Sequence, residues 1–560
     1  MAALPLLAAG IAWRAAVAFP SHKYPLDADS ILPALCAFKV LRGFHPVFYA
    51  TVRHGSLGSY LVALLFQLVG ASRSALAAQP LIVDVLVLLF WWLFLREALG
   101  PRAATAGLAF AALPSPTFSY WTYLPLGYAE DVLFCAVTLW LAVRLARLTR
   151  GPAAAAPPEP EAAAAPAAEV PGQARSGQGG WTALGLGLAA GLGFWSSFET
   201  LECTIPACLW LLWQRPRLAR RASVVLLVLL IAGGFLLGAS PWIGFNVRHP
   251  WESFRHRRAI HAAGLDAMAV AARHIATDLL PELVTAPVPD DGSPDRPGPV
   301  ARALRVPTVA IHALAAALLL AAAARPLTRR RRRPGDAAGD PEPAVASLFG
   351  LVALAACVLY VIAGEATNSL PKVRYILPLY LLVPAALALL LAAAAKRSRW
   401  LAGGLAAVVL AFNVAGTFLP WSPQRQRWAA DAAADARLLA ELERQRIDAV
   451  IGSYWKVYPI NFLSRERIQG VPVEGDFDYY WVAARLPSRP LRWALLASDV
   501  RQLERWRAQA GLAGSPVQVT PFYSLLVPTP DPPAGETPAA LQARLAAAYR
   551  AAALPVLPRR

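Results

Sequence analysis

The chain is 560 residues long and 57% hydrophobic, with 53 Lys and Arg against 35 Asp and Glu and a formal net charge of +18. A mean hydropathy of +0.44 excludes an ordinary soluble enzyme, because so apolar a chain buries its surface in lipid and between helices. The cationic excess does not point to nucleic acid either, since the basic residues collect at the ends of apolar runs, as they do in cytoplasmic loops of membrane proteins.

Taken in order, the first apolar run is Leu4–Phe19, which carries Arg14, lacks a basic start and is followed by further spans. A retained helix is expected there rather than a secretory signal. Spans approaching the ~20 apolar residues needed to cross a bilayer are expected at Leu76–Leu95, Gly127–Leu148, Ala222–Phe245, Ala303–Ala324, Val345–Gly364, Val373–Ala395 and Leu401–Leu419. Shorter candidates are Ser56–Val69, Ala103–Leu113 and the divided stretch Trp181–Trp213. The expected architecture is an all-α polytopic bundle of about twelve transmembrane helices. In 96–126, Pro114, Pro116 and Pro125 interrupt the pattern, and a re-entrant or half-spanning element is expected.

The linker 151–180, built of Ala, Pro, Gly, Glu and Gln, is too polar and too broken to pack, and 326–343 resembles it. Arg144, Arg147 and Arg150, the group Arg215, Arg217, Arg220 and Arg221, and the run Arg329–Arg333 mark the cytoplasmic side. Residues 20–55 and 246–301, and everything after Pro420, then face outward from the cell membrane. The five cysteines are scattered, with neither metal spacing nor a disulfide framework.

After Trp421 the composition changes. A helix is expected over Trp428–Arg446, a strand over Asp448–Ser453, a helix over Tyr454–Leu463, a strand over Arg492–Ala497, a helix over Val500–Ala510 and a closing strand over Val517–Val527. Strands alternating with helices give a small extracytoplasmic α/β domain over 421–530, followed by a flexible tail over 531–560. The preceding part, 1–420, is expected to form the transmembrane domain.

Carboxylates are rare in this chain, so those at a span boundary carry information. Asp27 and Asp29 follow the first run, where ionised groups must be hydrated, paired or chemically employed. Such a carboxylate serves as general base to a hydroxyl, coordinates a divalent cation, or, as Asp29 or Ser30, caps a helix over Ile31–Leu41. Glu130 and Asp131 open the span at Gly127, where acids also complement the helix dipole. Glu199 and Glu202 line a cavity or are simply exposed. Arg248, Arg255 and Arg258 form a basic cluster suited to bidentate phosphate recognition or to headgroup contact. Lys372 and Arg374 precede Tyr375 at the start of a late span; they hold a phosphate or snorkel at a helix end. Tyr454, Trp455, Tyr458 and Phe462 stack on sugar or, more simply, pack a core.

The succession Asp27–Asp29, His45-Pro46, Gly55-Ser56-Leu57 and Tyr60 resembles the first external loop of the GT-C membrane glycosyltransferases. The likeness is to glycosyltransferase family 39-like bacterial relatives of protein O-mannosyltransferase and aminoarabinose transferase. Lys372-Val373-Arg374-Tyr375 and the apolar, proline-containing span behind it resemble a late helix of the same superfamily. In that family a carboxylate of the loop, usually in an Asp-Glu pair, lies at the reaction centre. Asp29 matches the first member and Ser30 replaces the second, which leaves open whether Asp27 supplies the missing carboxylate.

The resemblance implies a transferase that takes a sugar from a polyprenyl-phosphate donor to a hydroxyl on a glycan, lipid or protein acceptor. Asp29 or Asp27 would be the base, assisted by Glu130. Lys372, Arg374, Arg248, Arg255 and Arg258 would hold the departing phosphate, with His45, Tyr60 and Tyr375 in the substrate-binding set. Such a donor needs no nucleotide-binding motif, and no organic cofactor is implied; a divalent metal ion stays open. The alternatives are a transporter or flippase of lipid-linked glycans, or a non-catalytic assembly protein of the same fold.

Overall fold

The computed structural model describes residues 3–18, 28–49, 54–149, 172–214, 221–250, 252–255, 265–286, 299–329, 342–362, 372–418, 421–473, 492–528 and 536–552. The chain opens with α1 (Ala3–Ala18), α2 (Ala28–Leu41) and α3 (Leu57–Val69). The 27-residue α4 (Arg73–Leu99) starts at Ser72, whose hydroxyl accepts from the Ala75 amide, and ends at Gly100 with φ 78°. Both ends follow from chemistry: a serine cap satisfies an orphan amide, and glycine tolerates positive φ. Two short helices fill the proline-broken stretch, α5 (Pro101–Ala112) and α6 (Pro116–Tyr123), each with proline in its first turn. Then come α7 (Tyr128–Thr149), α8 (Gly172–Ser196), α9 (Leu201–Trp213), α10 (Arg221–Gly238) and α11 (Ser240–Arg248). Next are α12 (Glu252–Arg255), α13 (Leu265–His274), α14 (Leu280–Leu283), α15 (Pro299–Arg329) and α16 (Glu342–Ile362). A 3-10 segment, Val373–Leu382, leads into α17 (Val383–Ala395), and α18 (Arg399–Phe418) completes the bundle.

Among the described residues six helical stretches are long and apolar enough to cross a membrane: Arg73–Leu99, Tyr128–Thr149, Val300–Ala324, Val345–Ile362, Val373–Ala395 and Arg399–Phe418. The expected span Ala222–Phe245 is instead α10 and α11 bent by 63°, a seventh crossing if the pair is taken as one. The shorter apolar helices α1 and α3 stand beside these. The protein is therefore a multi-pass membrane protein. Its main core runs through α4, α5, α7, α16, α17 and the 3-10 segment, around Trp91, Phe94, Phe118, Phe349 and Tyr380. Trp91 Nε1 donates to the Leu381 carbonyl at 2.9 Å, so the indole satisfies backbone that the 3-10 geometry frees.

Beyond the bundle lie α19 (Trp421–Arg444), β1 (Ala449–Gly452), α20 (Tyr454–Leu463), β2 (Gln469–Pro472), β3 (Trp493–Ala497), α21 (Val500–Ala510), β4 (Val517–Thr520), β5 (Tyr523–Leu526) and α22 (Pro538–Ala551). The sheet order is β2-β1-β3-β5-β4. β1 is parallel to β2 and β3, pairing Ala449 with Gln469 and Trp493, while β5 is antiparallel to β3 and β4. The single closing strand expected over Val517–Val527 is a hairpin turned at Pro521-Phe522, and β2 went unanticipated. Part of the flexible tail expected over 531–560 is corrected as well, the rest lying outside the described residues. α22 is a folded helix whose Leu541, Leu545 and Tyr549 are buried, and Trp506 Nε1 donates to the Leu545 carbonyl at 2.9 Å.

The sheet does not stand apart from the bundle. One apolar core joins Ile31, Leu35 and Phe38 of α2, Val62 and Phe66 of α3, and Leu438, Val450, Tyr454, Tyr458 and Phe462 of the sheet layer. Around it, Arg42 and Lys39 pair with Glu466, and Arg73 pairs with Asp435 at 2.7 Å.

Candidate active site

The sheet end of the bundle collects the acids. Asp29 lies in the first turn of α2, and its Oδ1 accepts from the Tyr454 hydroxyl at 2.8 Å. The helix already begins at Ala28, so neither Asp29 nor Ser30 is its cap. Asp27 lies outside the described residues.

Gly127, at φ 85°, turns the chain so that its carbonyl receives the amides of Glu130 and Asp131 and starts α7. Dipole complementation alone would leave both side chains in water, yet Glu130 is 4% and Asp131 3% exposed. Gln79 Nε2, from α4, donates to Glu130 Oε1 at 2.6 Å. On the α3 side the wall is Gly58, where an added Cβ would collide with the same oxygen. Asp131 accepts from Ser196 Oγ, at the end of α8, at 3.2 Å.

Tyr49 joins the acids to the loop before α3. Its hydroxyl donates to the Leu126 carbonyl at 2.5 Å. Burial first, then the nearby Glu130, Tyr128, Asp131 and Asp29, push its phenol well above the ordinary value. Tyr128 lies within electrostatic reach of Arg374, Tyr375, Glu199 and Asp29. The buried Arg374 guanidinium rests 5.3 Å from the centre of the Trp121 ring and 5.2 Å from that of Tyr375, whose hydroxyl it meets at 3.5 Å. Asp29 of α2 and the α7 acids thus act together on Tyr49, and Tyr128 is reached by both Asp29 and Arg374.

Other predicted residues are placed differently. Lys372 is half-buried in extended backbone just before the 3-10 segment. His45 is exposed and stacks on Tyr60 at 6.5 Å between ring centres; the Tyr60 hydroxyl donates to the Pro46 carbonyl at 3.3 Å. Arg248 is exposed in the last turn of α11. Arg255 closes α12, its side chain outside the described ones, and Arg258 lies outside the described residues. α11 itself adjoins the loop before α3, with Phe245 edge-on to Phe48 at 5.0 Å. Glu199 is half-buried and Glu202 fully buried. Tyr454, read from the sequence as core or sugar platform, is fully buried and is also the donor to Asp29. Gln79, Tyr49, Tyr128 and Ser196 went unpredicted, although Gln79 is a polar residue inside an apolar span and was a visible signal.

No three His, Cys, Asp or Glu side chains among the described residues are grouped so as to hold a metal ion.

Spanning helices, a short helix bearing an acid, a broken late span and a terminal sheet layer together resemble the GT-C fold. ArnT from Cupriavidus metallidurans is one solved protein of similar fold. The structure of that protein bound to undecaprenyl phosphate matches with a TM-score of 0.52 at 13% identity, over 92% of this chain and 97% of ArnT. The apo form matches with 0.53 at 14%, over 94% and 98%. The archaeal oligosaccharyltransferase AglB from Archaeoglobus fulgidus, in complex with an inhibitory peptide and a dolichol-phosphate, gives 0.46 at 12%, over 95% of this chain and 75% of AglB. The likeness is one of fold. No protein-family model matches the sequence, and no curated protein matches it by sequence.

Proposed function

We propose that this protein is a membrane glycosyltransferase that moves a sugar from a polyprenyl-phosphate carrier to an acceptor hydroxyl at the outer face of the cell membrane. In the reaction, Asp29 takes the proton of the acceptor hydroxyl while that oxygen bonds to the anomeric carbon. The bond from that carbon to the phosphate oxygen breaks, and polyprenyl phosphate departs with the electron pair. Positive charge is needed where negative charge accumulates, which is the part given to Arg374 and Lys372, with Arg248, Arg255 and Arg258 as further phosphate contacts. Glu130 assists the base, and Asp27 is a second candidate for the base itself.

The observation that carries this reading is that Asp29, Glu130 and Asp131 lie within electrostatic reach of Tyr49, and Asp29 and Arg374 within that of its neighbour Tyr128. The ArnT-like fold supports it, since that protein's structure holds undecaprenyl phosphate. The reading includes about twelve spans, residues 151–180 and 326–343 in the cytoplasm, and the sheet layer of 421–530 outside.

The test is transfer of labelled sugar from polyprenyl phosphate in membranes. Asp29→Asn is expected to lower turnover at least ~100-fold, the usual contribution of an acid–base group. Undiminished turnover in the Asp27→Asn/Asp29→Asn double variant would refute the assignment.

A further inference from the structure

Tyr454 occupies the first position of α20, directly behind β1, and is completely buried. Its ring stands edge-on to Trp455 at 4.9 Å and to Tyr458 at 4.6 Å, in the apolar core that also contains Ala28, Ile31 and Leu35. Packing on all sides leaves such a ring one orientation. Its hydroxyl is the polar tip that leaves this core, and it ends on Asp29 Oδ1 at 2.8 Å.

We infer that Tyr454 is a positioning residue: the sheet layer reaches across to the bundle and, through this hydroxyl, sets the carboxylate of Asp29 for proton transfer. The inference rests on the glycosyltransferase reading for its catalytic consequence. The contact itself spans 425 residues of sequence, and the surrounding clamps hold it in register. Glu466, just after α20, pairs with Lys39 and Arg42 at the far end of α2, while Arg73 and Asp435 tie α4 to α19. A hydroxyl donating to a carboxylate is a charge-assisted bond, stronger and more directional than a neutral one. With Oδ1 engaged, proton transfer falls to Oδ2. The carboxylate is thereby held in one orientation instead of sampling several, and effective proton transfer demands that kind of placement.

Tyr454→Phe removes the hydroxyl and keeps the packed ring. In the full-length protein in membranes, kcat is expected to fall about tenfold, with KM for the polyprenyl-phosphate sugar within about twofold. In an Asp29→Asn background the same substitution is expected to cost nothing further. Tyr523→Phe is the control: it deletes a hydroxyl bonded to Asp435 in the same interface, away from Asp29, and should lower the melting temperature without lowering kcat. A second arm does not need activity: carbodiimide modification of Asp29, followed by mass spectrometry, is expected to run at least several-fold faster in Tyr454→Phe. A Tyr454→Phe protein with unchanged kcat and unchanged labelling, or one whose loss adds in full to that of Asp29→Asn, overturns the inference. A wild type that transfers no sugar while Tyr454→Phe still exposes Asp29 to the reagent sinks the glycosyltransferase reading and leaves the positioning contact standing.

Discussion

Glu130 is enclosed by three helices, and its neighbours are chosen to fit it. Gly58 lies where any side chain would displace the carboxylate, so Gly58→Ala should lower transfer at least tenfold by the ~1 Å displacement it forces at the site. Gln79 supplies the bond to Oε1. Gln79→Leu strands a buried acceptor, at a cost of about 1–3 kcal/mol, and thermal melting in detergent should show the drop. Tyr49 makes a pH prediction. Its phenol is raised in the fold by burial and by the acids around it, whereas an unfolded tyrosine ionises near pH ~10. Above that pH the folded chain holds the extra proton, so the contribution is complete below it and is lost as pH climbs further. Tyr49→Phe should flatten the stability decline measured between about pH 9 and pH 11.

At the scale of elements, close helix contact depends on two glycine pairs. Gly187 and Gly191 of α8 touch the Ile231 and Phe235 backbone of α10, while Gly234 and Gly238 touch the Leu184 and Leu188 backbone in return. Small residues four apart let backbones approach inside lipid, and Gly191→Leu is expected to separate the two helices, seen as faster proteolysis or lost expression. The other fastening is ionic. Arg14 Nε meets Asp84 Oδ2 at 3.1 Å, and the same guanidinium donates to the carbonyls of Gly10, Ala111 and Ala112. Thr122 adds a bond to Asp84 at 3.3 Å, so α1, α4, α5 and α6 meet at one charge. Removing one partner leaves the other buried and alone, typically ~3–5 kcal/mol. Arg14→Met should therefore melt far below wild type, and Arg14→Met/Asp84→Leu should recover part of the loss.

For the molecule as a whole, the core shared between α2, α3 and the sheet layer makes the two interdependent. A chain ending at Phe418 would uncover Ile31, Leu35, Val62 and Phe66, and it is expected to aggregate on extraction, as size-exclusion chromatography would show. The sequence carried the spans plainly, because runs of that length and hydropathy have few other uses. It did not carry the break in Val373–Ala395, where Pro378 and Pro384 convert a continuous apolar run into a 3-10 segment and a helix. β2 is four residues long and contains Gly470 and Pro472, which hides a strand that parallel pairing creates. α22 was disguised by its alanines, although Leu541, Leu545 and Tyr549 recur at helical spacing. Asp29, Glu130 and Arg374 stood out because charge is scarce in lipid-facing sequence. Ser196 did not, and the pairings of Tyr454 with Asp29 and of Gln79 with Glu130 could not be read at all, since only the fold brings such distant residues together.

The Arg14–Asp84 pair also bears on how the chain is made. An arginine within an apolar helix enters the bilayer at a penalty of up to roughly 2.5–3.5 kcal/mol, the value at a helix centre. Its counter-charge is synthesised only when α4 emerges from the ribosome. The α1 helix is thus expected to linger at the insertion machinery until α4 arrives, so that the two are released into the lipid together.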